Sequence, residues 1–415
     1  MTTLTLDRKK ETGQNPRVRF KETDPLKQFE FTSCDNCGKC FSECPYMSLP
    51  ESQAKAEIQR LKYGTKSIVT DRCMGCMTCV AKCPNKCNPY SLIRARRHEA
   101  YNRDGLPEVA RVMMPHESQN FRSAVRHTKA EKEYLRKIAE PPEADTILYT
   151  GCNALMYPEI LQSGIFSDLP PYGAFDYCCG EMYHRMGLYD SARQSGVKLQ
   201  NALNRTRAKK VVFICVACMH MTSKILPDEF GLNFAFEKQF LASWLLERIE
   251  SGELEIRKPI KAKVTVQDTC HAKVFGDRIY DDTRKLIKIL GAEIVEMKHT
   301  KQESLCCGIA AGCSRFSPVD VVSAGFRRTH EATMTGADST ITVCNGCQMA
   351  MNIMRVFQPW APPLVPLVQL VQQAAGEQPN LNISMERSQQ MLAGVALQAA
   401  PKLLSRNRFF MKPIV

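Results

Sequence analysis

Short apolar runs that lead directly to cysteines dominate the second half of the chain. Four of these runs have the length and composition of buried β-strands, and a cysteine follows each within four residues. Polar and amphipathic segments separate them, such as residues 281–290, which the pattern predicts to be helical. Strands that alternate with helices predict parallel sheets. The four runs are residues 146–150, 211–214, 264–266 and 341–343, and the cysteines after them are Cys152, Cys215, Cys270 and Cys344.

These cysteines belong to one pattern that occurs twice. Each copy has a single cysteine, then an adjacent pair followed by glycine, then a Cys-x-x-Cys pair. In parallel sheets, ligands gather beyond the carboxyl ends of the strands, where we expect these thiols. The Cys-x-x-Cys pairs should open helices whose N-terminal amides stabilise thiolates. The first copy is Cys152, Cys178, Cys179, Cys215 and Cys218, and the second is Cys270, Cys306, Cys307, Cys344 and Cys347.

Five thiols are one more than a tetrahedral zinc ion or a cubane iron–sulfur cluster needs. Adjacent cysteines are poor disulfide partners, but their sulfurs can reach two irons of one cluster. Each copy is therefore a candidate for an unusual metal centre, with zinc plus a spare thiol as the open alternative. The copies are unequal, because 25 residues separate Cys152 from Cys178 and 35 separate Cys270 from Cys306. We expect the first copy to lack the strand that residues 292–297 supply in the second.

The first hundred residues carry a different motif, also written twice. The run Cys-x2-Cys-x2-Cys-x3-Cys-Pro is typical of bacterial two-cluster ferredoxins, in which the fourth cysteine ligates the other cluster. A zinc site does not need this doubled spacing. Residues 52–62 between the runs predict a helix, which favours a helical ferredoxin domain over a βαβ one. One predicted cubane uses Cys34, Cys37, Cys40 and Cys83, and the other uses Cys73, Cys76, Cys79 and Cys44. Cys87 and Cys313 are predicted to be spare buried thiols.

Composition and charge refine this outline. A chain of 415 residues suggests two or three domains. No uninterrupted apolar stretch is long enough to span a membrane, and the N-terminus has no secretory core. Twenty cysteines then predict a cytoplasmic protein that uses thiols as metal ligands. The net charge of +13 comes without any nucleic-acid-binding motif, so the basic residues are either solvated surface or a docking face for an acidic partner protein or an anionic lipid face.

The predicted organisation has six segments. The last segment contains an amphipathic helix over residues 385–400, with Met391, Leu392, Val395 and Leu397 as its apolar stripe. Its basic tail either packs on the chain itself or docks a partner. The segments are an N-terminal arm (1–29), a ferredoxin domain (30–93), a linker (94–143), two duplicated α/β units with a pseudo-twofold relation (144–254 and 259–368), and the C-terminal helix and tail (369–415).

The doubled five-cysteine pattern after a ferredoxin resembles the catalytic subunits of heterodisulfide reductases, whose cysteine-rich domains are named CCG after this motif. Iron–sulfur subunits of glycolate oxidase and anaerobic glycerol-3-phosphate dehydrogenase are related. The resemblance covers roughly residues 30–370. It implies a fold of the α+β and α/β classes, in which a helical two-cluster ferredoxin domain precedes two duplicated α/β CCG domains with pseudo-twofold symmetry. It also implies two cubane [4Fe-4S] clusters and two noncubane [4Fe-4S] clusters; the shorter first copy alternatively holds a simpler cluster or zinc.

Two functions follow from the resemblance. In the first, the chain is an oxidoreductase that reduces a disulfide or oxidises thiols, with Cys270, Cys306, Cys307, Cys344 and Cys347 as the catalytic set. In the second, it only carries electrons from a flavoprotein dehydrogenase of a hydroxy acid or glycerol phosphate toward quinone. Expected partners are a flavoprotein subunit and a small thiol or acidic carrier protein, with membrane contact only through a partner. His184, Arg185 and His271 are candidate proton donors or anion binders near a cluster, a question that the sequence leaves open. His220 is predicted to be either a core or a surface residue.

Overall fold

The computed structural model describes residues 24–414, so most of the predicted N-terminal arm lies outside the described residues. The ferredoxin region is helical, and the predicted helix at residues 52–62 is confirmed by α2. Gly64, in the left-handed region at φ 71°, ends α2 by donating its backbone N–H to carbonyls of the last turn. Apolar side chains of α2 and α5 form a small core of their own. The helices are α1 (Lys39–Ser42), α2 (Glu51–Tyr63), α3 (Ile68–Arg72), α4 (Thr78–Lys82) and α5 (Pro89–Asp104).

Helix α5 runs through residue 93, the predicted boundary between ferredoxin and linker. The linker then continues with a two-residue strand, β1 (Leu106–Pro107), a 3-10 helix (Glu108–Met113) and helix α6 (Lys129–Lys137). Thr128 caps α6 in a capping box with Glu131. The segment predicted as a linker, residues 94–143, therefore contains regular secondary structure over much of its length.

The first duplicated unit contains a four-stranded parallel sheet in the order β3-β2-β4-β5. Its central strands β2 and β4 are short, β-branched and aromatic, and buried after their first residue. The strands are β2 (Thr146–Tyr149), β3 (Pro171–Tyr172), β4 (Lys210–Phe213) and β5 (Glu237–Phe240). The helices are α7 (Glu181–Met186), α8 (Tyr189–Thr206), α9 (Val216–His220), α10 (Leu226–Phe230) and α11 (Leu241–Glu250).

The second unit repeats this arrangement as a parallel sheet in the order β7-β6-β8-β9. The predicted parallel sheets and their alternation with helices are confirmed in both units. The strands are β6 (Lys263–Gln267), β7 (Glu293–Ile294), β8 (Ser339–Thr342) and β9 (Leu364–Pro366). The helices are α12 (Arg278–Ile289), α13 (Ile309–Arg315), α14 (Pro318–Thr333), α15 (Asn345–Phe357) and α16 (Leu367–Ala374).

The expectation that the first copy lacks a strand is wrong. Strand β3 pairs in parallel with β2 at the same sheet edge where β7 pairs with β6. The first copy instead replaces α12 with short 3-10 turns at Pro158–Leu161 and Gly164–Phe166. The strand escaped detection because it is only two residues long and begins with a proline, which an edge strand tolerates. The two copies therefore share their sheets and differ in one crossover helix.

The C-terminal segment folds back over the linker. Helix α17 (Ile383–Leu403) confirms the predicted amphipathic helix, and Met391 is buried on its apolar face. Leu397, predicted to share that face, is exposed, and Ala399 is buried instead. Strand β10 (Arg408–Phe409) pairs antiparallel with β1, so the tail packs on its own chain. Within residues 24–414, none of the helices combines the length and apolar character of a membrane span.

Candidate metal centres

The structure brings the eight ferredoxin cysteines together in two groups of four. Burial raises the pKa of Cys40, and the neighbouring thiols of Cys37, Cys83 and Cys34 raise it further. The fourth cysteine of the second run thus lies with the first three of the first run. These are the groups that the doubled spacing predicts.

The other group also combines three cysteines of one run with the fourth cysteine of the other run. Burial raises the pKa of Cys44 to about 11, with added repulsion from Cys76 and Cys73. Burial likewise raises the pKa of Cys79, beside Cys73 and Cys76. Buried thiols crowded in this way ionise only when a cation compensates their charge. Their assignment as ligands stays a prediction.

The five thiols of the first copy converge at the carboxyl edge of its sheet. Cys152 follows β2, and its Sγ lies 3.6 Å from the Sγ of Cys178. Cys215 lies two residues after β4 and is the N-cap of α9, which carries Cys218. Hydrogen bonds from the thiols of Cys178 and Cys218 lower the pKa of Cys179 to about 6. Cys179 is therefore the centre of this group, and all five cysteines are buried.

The second copy repeats the arrangement. Hydrogen bonds from Cys306 and Cys347 lower the pKa of Cys307, which takes the place of Cys179. Cys344 is the N-cap of α15 and interacts with Cys347. Burial raises the pKa of Cys270 to about 11, with repulsion from Cys307 and Cys344. All five predicted thiols of this copy therefore also meet in one place.

The glycine after each vicinal pair is required by the backbone. Gly180 and Gly308 are the N-caps of α7 and α13 and have φ angles of 80° and 101°. A Cβ at Gly308 would lie 2.4 Å from the carbonyl oxygen of Val321. The left-handed turn and the close helix packing both exclude a side chain, so this glycine fixes the direction of the vicinal thiols.

The loops of the two five-thiol groups lie close together, and Cys344 is the one cysteine of the two groups that lines the cavity between the units. A cavity of about 30 Å³ lies between the sheet edges, lined on one side by Ile214 and Phe240 and on the other by Val343 and Cys344. A Cβ built on Gly346, inside the second Cys-x-x-Cys, would lie 3.9 Å from the amide nitrogen of Asn153. The loops that carry the thiols of the two units are thus neighbours.

The ferredoxin region contacts the second five-thiol group directly. Tyr46, two residues after Cys44, accepts a hydrogen bond at 2.8 Å from the backbone N–H of Cys306. The side chains of Cys76 and Cys306 pack in one small buried cluster with Ala310. Lys273, close behind Cys270, donates to Thr78 Oγ1 at 2.7 Å. The group of Cys44, Cys73, Cys76 and Cys79 therefore borders the second copy.

One buried arginine reaches each five-thiol group. Arg122 Nη2 lies 3.1 Å from the Sγ of Cys152, and its Nε donates to Asn153 Oδ1 at 3.1 Å. Arg185 Nη2 lies 3.9 Å from the Sγ of Cys270 and 2.6 Å from His271 Nε2. Arg185 also donates to the carbonyl oxygen of Gly75 in the ferredoxin region.

The histidine candidates lie in two different places in the structure. His271 lies against Arg185 and is 2.9 Å from both His220 Nδ1 and Glu181 Oε1. His184 instead lies against Glu229, at 2.8 Å, and Arg94. His220, predicted in the core or on the surface, is buried.

Sequence reasoning missed Arg122, Tyr46 and Lys273. Arg122 and Tyr46 lie outside the CCG repeats and reach the thiols only through tertiary packing, so the motif could not reveal them. Lys273 lies three residues after Cys270, but its contact with Thr78 spans 195 positions of the chain.

The donor chemistry fits iron–sulfur clusters. Both ferredoxin groups and both five-thiol groups consist only of thiols, which iron–sulfur clusters use as ligands. Burial raises the pKa of several of these thiols, so iron would supply the positive charge that such sites need. Within the described part of the chain, no group of three or more His, Cys, Asp or Glu side chains is arranged around a single metal ion.

The two spare thiols have different surroundings. Burial raises the pKa of Cys313 to about 12, and Cys87 donates its backbone N–H to Cys83 Sγ.

Comparison with known families agrees with this architecture. The CCG cysteine-rich domain model matches residues 159–222 and 264–352, and the 4Fe-4S dicluster domain model matches residues 26–84. The chain therefore combines two CCG repeats with a ferredoxin-like dicluster domain. It is an iron–sulfur protein of the oxidoreductase class.

The relatives narrow the class. One is a chain of the dihydromethanophenazine:CoB–CoM heterodisulfide reductase from Methanosarcina barkeri, 24% identical over 380 residues, which cover 81% of this chain and 91% of the relative. Its counterpart from Methanosarcina mazei is 25% identical with the same coverage. An EtfAB:quinone oxidoreductase from Syntrophomonas wolfei is 22% identical over 74% of this chain and 47% of that protein. The chain is homologous to these heterodisulfide reductase chains and to related iron–sulfur proteins.

Proposed function

We propose that the chain is the thiol/disulfide-converting subunit of a heterodisulfide-reductase-like complex. The observation that carries this proposal is the pair of complete five-thiol groups, which lie on neighbouring loops of the two units. A disulfide placed between two such groups can take one electron from each side. Reduction consumes two electrons and two protons and yields two thiols, and oxidation of thiols is the reverse.

Each ferredoxin group would hold a cluster with its four cysteines, three from one run and the fourth from the other run. Each CCG copy would hold a cluster with its five thiols. When bound, [4Fe-4S] clusters supply one-electron transfer, which a two-electron disulfide reaction needs twice. The chain itself orients the thiols and shields most of them from solvent. The glycine-capped vicinal turns hold the thiols in place, and eight of the ten CCG thiols are buried. Cys344 lines the cavity between the two units, so the second copy presents a thiol to this shared cavity.

The electrons need a donor outside the described residues. A flavoprotein subunit is the proposed donor, and a small thiol or an acidic carrier protein is the proposed exchange partner. Relatives that are subunits of a heterodisulfide reductase support a multi-subunit setting. The ferredoxin region, which borders the second copy through Tyr46 and Cys76, is the proposed path inward.

One observation favours a second candidate, an electron carrier with no substrate of its own. The shared cavity of about 30 Å³ has room for about one water molecule. A disulfide could enter this cavity only if the two units separated. The similarity to an EtfAB:quinone oxidoreductase supports a role in passing electrons from a flavoprotein toward quinone.

Anaerobic purification with iron quantification tests the proposal. Four clusters predict about sixteen iron atoms per chain, whereas two cubanes alone predict about eight. A Cys307→Ser variant should lose only the iron of the second CCG copy, with Cys313→Ser as the matched control that loses none. Electron paramagnetic resonance of the oxidised protein treated with a thiol should then show a new signal that C307S lacks. Sixteen irons without such a signal would favour the electron carrier, and eight irons would refute the proposal.

A further inference from the structure

An open cleft lies between the ferredoxin region and helix α14 of the second CCG unit. Its volume is about 380 Å³, which is in the range of clefts that bind small organic molecules. One wall is a single face of α14, and the other is formed by the loops around Cys44 and Cys73. We call it the arginine cleft, because three arginines line it. They are Arg72, Arg315 and Arg327.

Positive charge exceeds negative charge in the arginine cleft. Among the described residues, Asp320 is the one acidic residue that lines it, and its carboxylate pairs with Arg315 Nε at 2.5 Å. Arg327 donates to the carbonyl oxygen of Pro45 at 2.5 Å but pairs with no carboxylate of residues 24–414. Arg72 is exposed and has neither an ion pair nor a hydrogen bond within the same range. Two guanidinium charges therefore remain uncompensated.

Carboxylates in the neighbourhood do not supply the missing charge. Glu43 pairs with Lys82 at 3.6 Å, and neither residue lines the cleft. Glu331, one turn beyond Arg327 on α14, pairs with the buried Arg328 at 2.7 Å. Asp71 precedes Arg72 in the chain but does not line the cleft. The excess of positive charge is thus a property of the cleft and its surroundings.

The floor of the arginine cleft is apolar. Met74 and Ala324 are buried and pack together, and the ring of Tyr46 packs against them. The hydroxyl of Tyr46 accepts a hydrogen bond from the backbone N–H of Cys306, so the floor is attached to the loop of the second five-thiol group. The cleft therefore combines an apolar floor with two unpaired guanidinium groups.

We infer that the arginine cleft binds a small organic anion with an apolar body and two acidic groups, either carboxylates or phosphates. A guanidinium presents a planar fork of donors that matches a carboxylate or phosphate with two parallel hydrogen bonds. Arg72 and Arg327 belong to opposite walls, so a ligand that engages both carries an acidic group at each end. The apolar floor accommodates the body between them.

The shape of the site favours a small molecule over a protein. A stable protein partner covers a broad face of about 800 Å² on each side, whereas this site is a concave cleft. A ligand bound there would link α14 to the ferredoxin region. The inference concerns binding alone and stands independently of the proposed thiol/disulfide chemistry.

Isothermal titration calorimetry at low ionic strength tests the inference on the complete chain, purified anaerobically with its iron. The probes are succinate, adipate and suberate, each compared with the monocarboxylate of the same chain length. The best dicarboxylate should bind at least about tenfold more tightly than its monocarboxylate, because a second charge-assisted contact forms. Hexamethylene bisphosphonate distinguishes a phosphate ligand from a carboxylate ligand. Equal affinities for compounds with one and two acidic groups would overturn the inference.

Variants of the arginines locate the binding. Arg72→Gln and Arg327→Gln should each reduce the affinity for the dicarboxylate to that of the monocarboxylate. Arg136→Gln is the matched control, because Arg136 is exposed on α6 and does not line the cleft, and it should bind as the wild type does.

Ser323 provides a test that leaves every arginine in place. It is exposed and lines the cleft on α14, so Ser323→Glu would add a carboxylate that competes with the ligand. We expect this variant to lose at least about tenfold in affinity and Ser323→Gln to lose little. Unchanged affinities in R72Q and S323E would contradict the inference. Binding of polyglutamate without binding of any small dicarboxylate or bisphosphonate would also contradict it, and would make the cleft a docking surface for an acidic protein.

Discussion

The hydroxyl oxygen of Tyr46 lies 2.8 Å from the backbone nitrogen of Cys306, although 260 positions of the chain separate the two residues. Tyr46 follows the last cysteine of the first ferredoxin run, and Cys306 opens the second vicinal pair. The Tyr46 hydroxyl also donates to the carbonyl oxygen of Cys306 at 3.4 Å, so two hydrogen bonds join the loop of one thiol group to the loop of another. They connect the ferredoxin region to the second CCG repeat, and Arg185 connects it to the first through Gly75.

We expect Tyr46→Phe to weaken this junction. The variant leaves the buried N–H of Cys306 without its acceptor, which costs on the order of 1–3 kcal/mol. Thermal unfolding of the iron-loaded protein should show a lower midpoint than the wild type. Tyr63→Phe is the matched control, because Tyr63 is 81% exposed and its change should leave the midpoint unaltered. Equal midpoints for both variants would show that the Tyr46 hydroxyl does not stabilise the junction.

Gly308→Ala should disrupt the second five-thiol group. Its Cβ would meet the carbonyl oxygen of Val321 at 2.4 Å, and the left-handed φ of 101° adds backbone strain. We expect loss of about four iron atoms together with a lower unfolding temperature. Gly336→Ala offers the comparison, since Gly336 also has a positive φ, of 65°, but nothing lies within 4 Å of its Cβ. That control should lose stability of about 1 kcal/mol from strain and keep its iron; similar iron loss in both would argue against the packing explanation.

The spare thiol Cys87 allows a direct check of the ferredoxin ligands. Cys40→Ser should remove or convert one cubane and lower the iron content by up to about four atoms. Cys87→Ser should leave the iron content unchanged, because the crossed motif supplies four thiols to this cluster without Cys87, although the Cys87 thiol lies beside Cys83 and Cys34. Iron quantification on both variants measures this difference. Iron loss in C87S would mean that Cys87 takes part in holding the cluster.

Glu159 predicts a pH dependence of stability. Burial raises the pKa of this carboxyl to about 7, and neither of its oxygens has a hydrogen-bond partner among the described residues. Between the ordinary pKa of about 4.5 and about 7, the folded chain binds more protons than the unfolded chain, so stability falls as the pH rises through this window.

Glu159→Gln should remove this loss of stability at higher pH. We expect the variant to be more stable than the wild type by on the order of 1–3 kcal/mol at pH 8 and nearly equal at pH 5, measured by thermal unfolding. The exposed residue Glu133, changed to Gln, should behave like the wild type at both values. An advantage of E159Q that does not depend on pH would contradict the assignment.

Much of the fold was readable from local patterns. The helix between the ferredoxin runs, the parallel sheets and the C-terminal helix follow from periodicity and composition, and the structure confirms them. Strand β3 was missed because a two-residue strand that begins with proline shows no alternation of apolar and polar residues. Leu397 was assigned to the apolar stripe although it lies off the face that buries Met391, and the helix exposes it.

The sequence by itself determined which thiols can act together, because short spacings bring sulfurs to one point and helix starts favour thiolates. The structure brings together the same sets of four and five, while their role as ligands stays a prediction. Only the tertiary structure decided which repeat borders the ferredoxin region and which arginine reaches which thiol. Tyr46, Arg122 and Arg185 act across 260, 30 and 85 positions of the chain, and contacts over such separations arise from packing that no local pattern encodes.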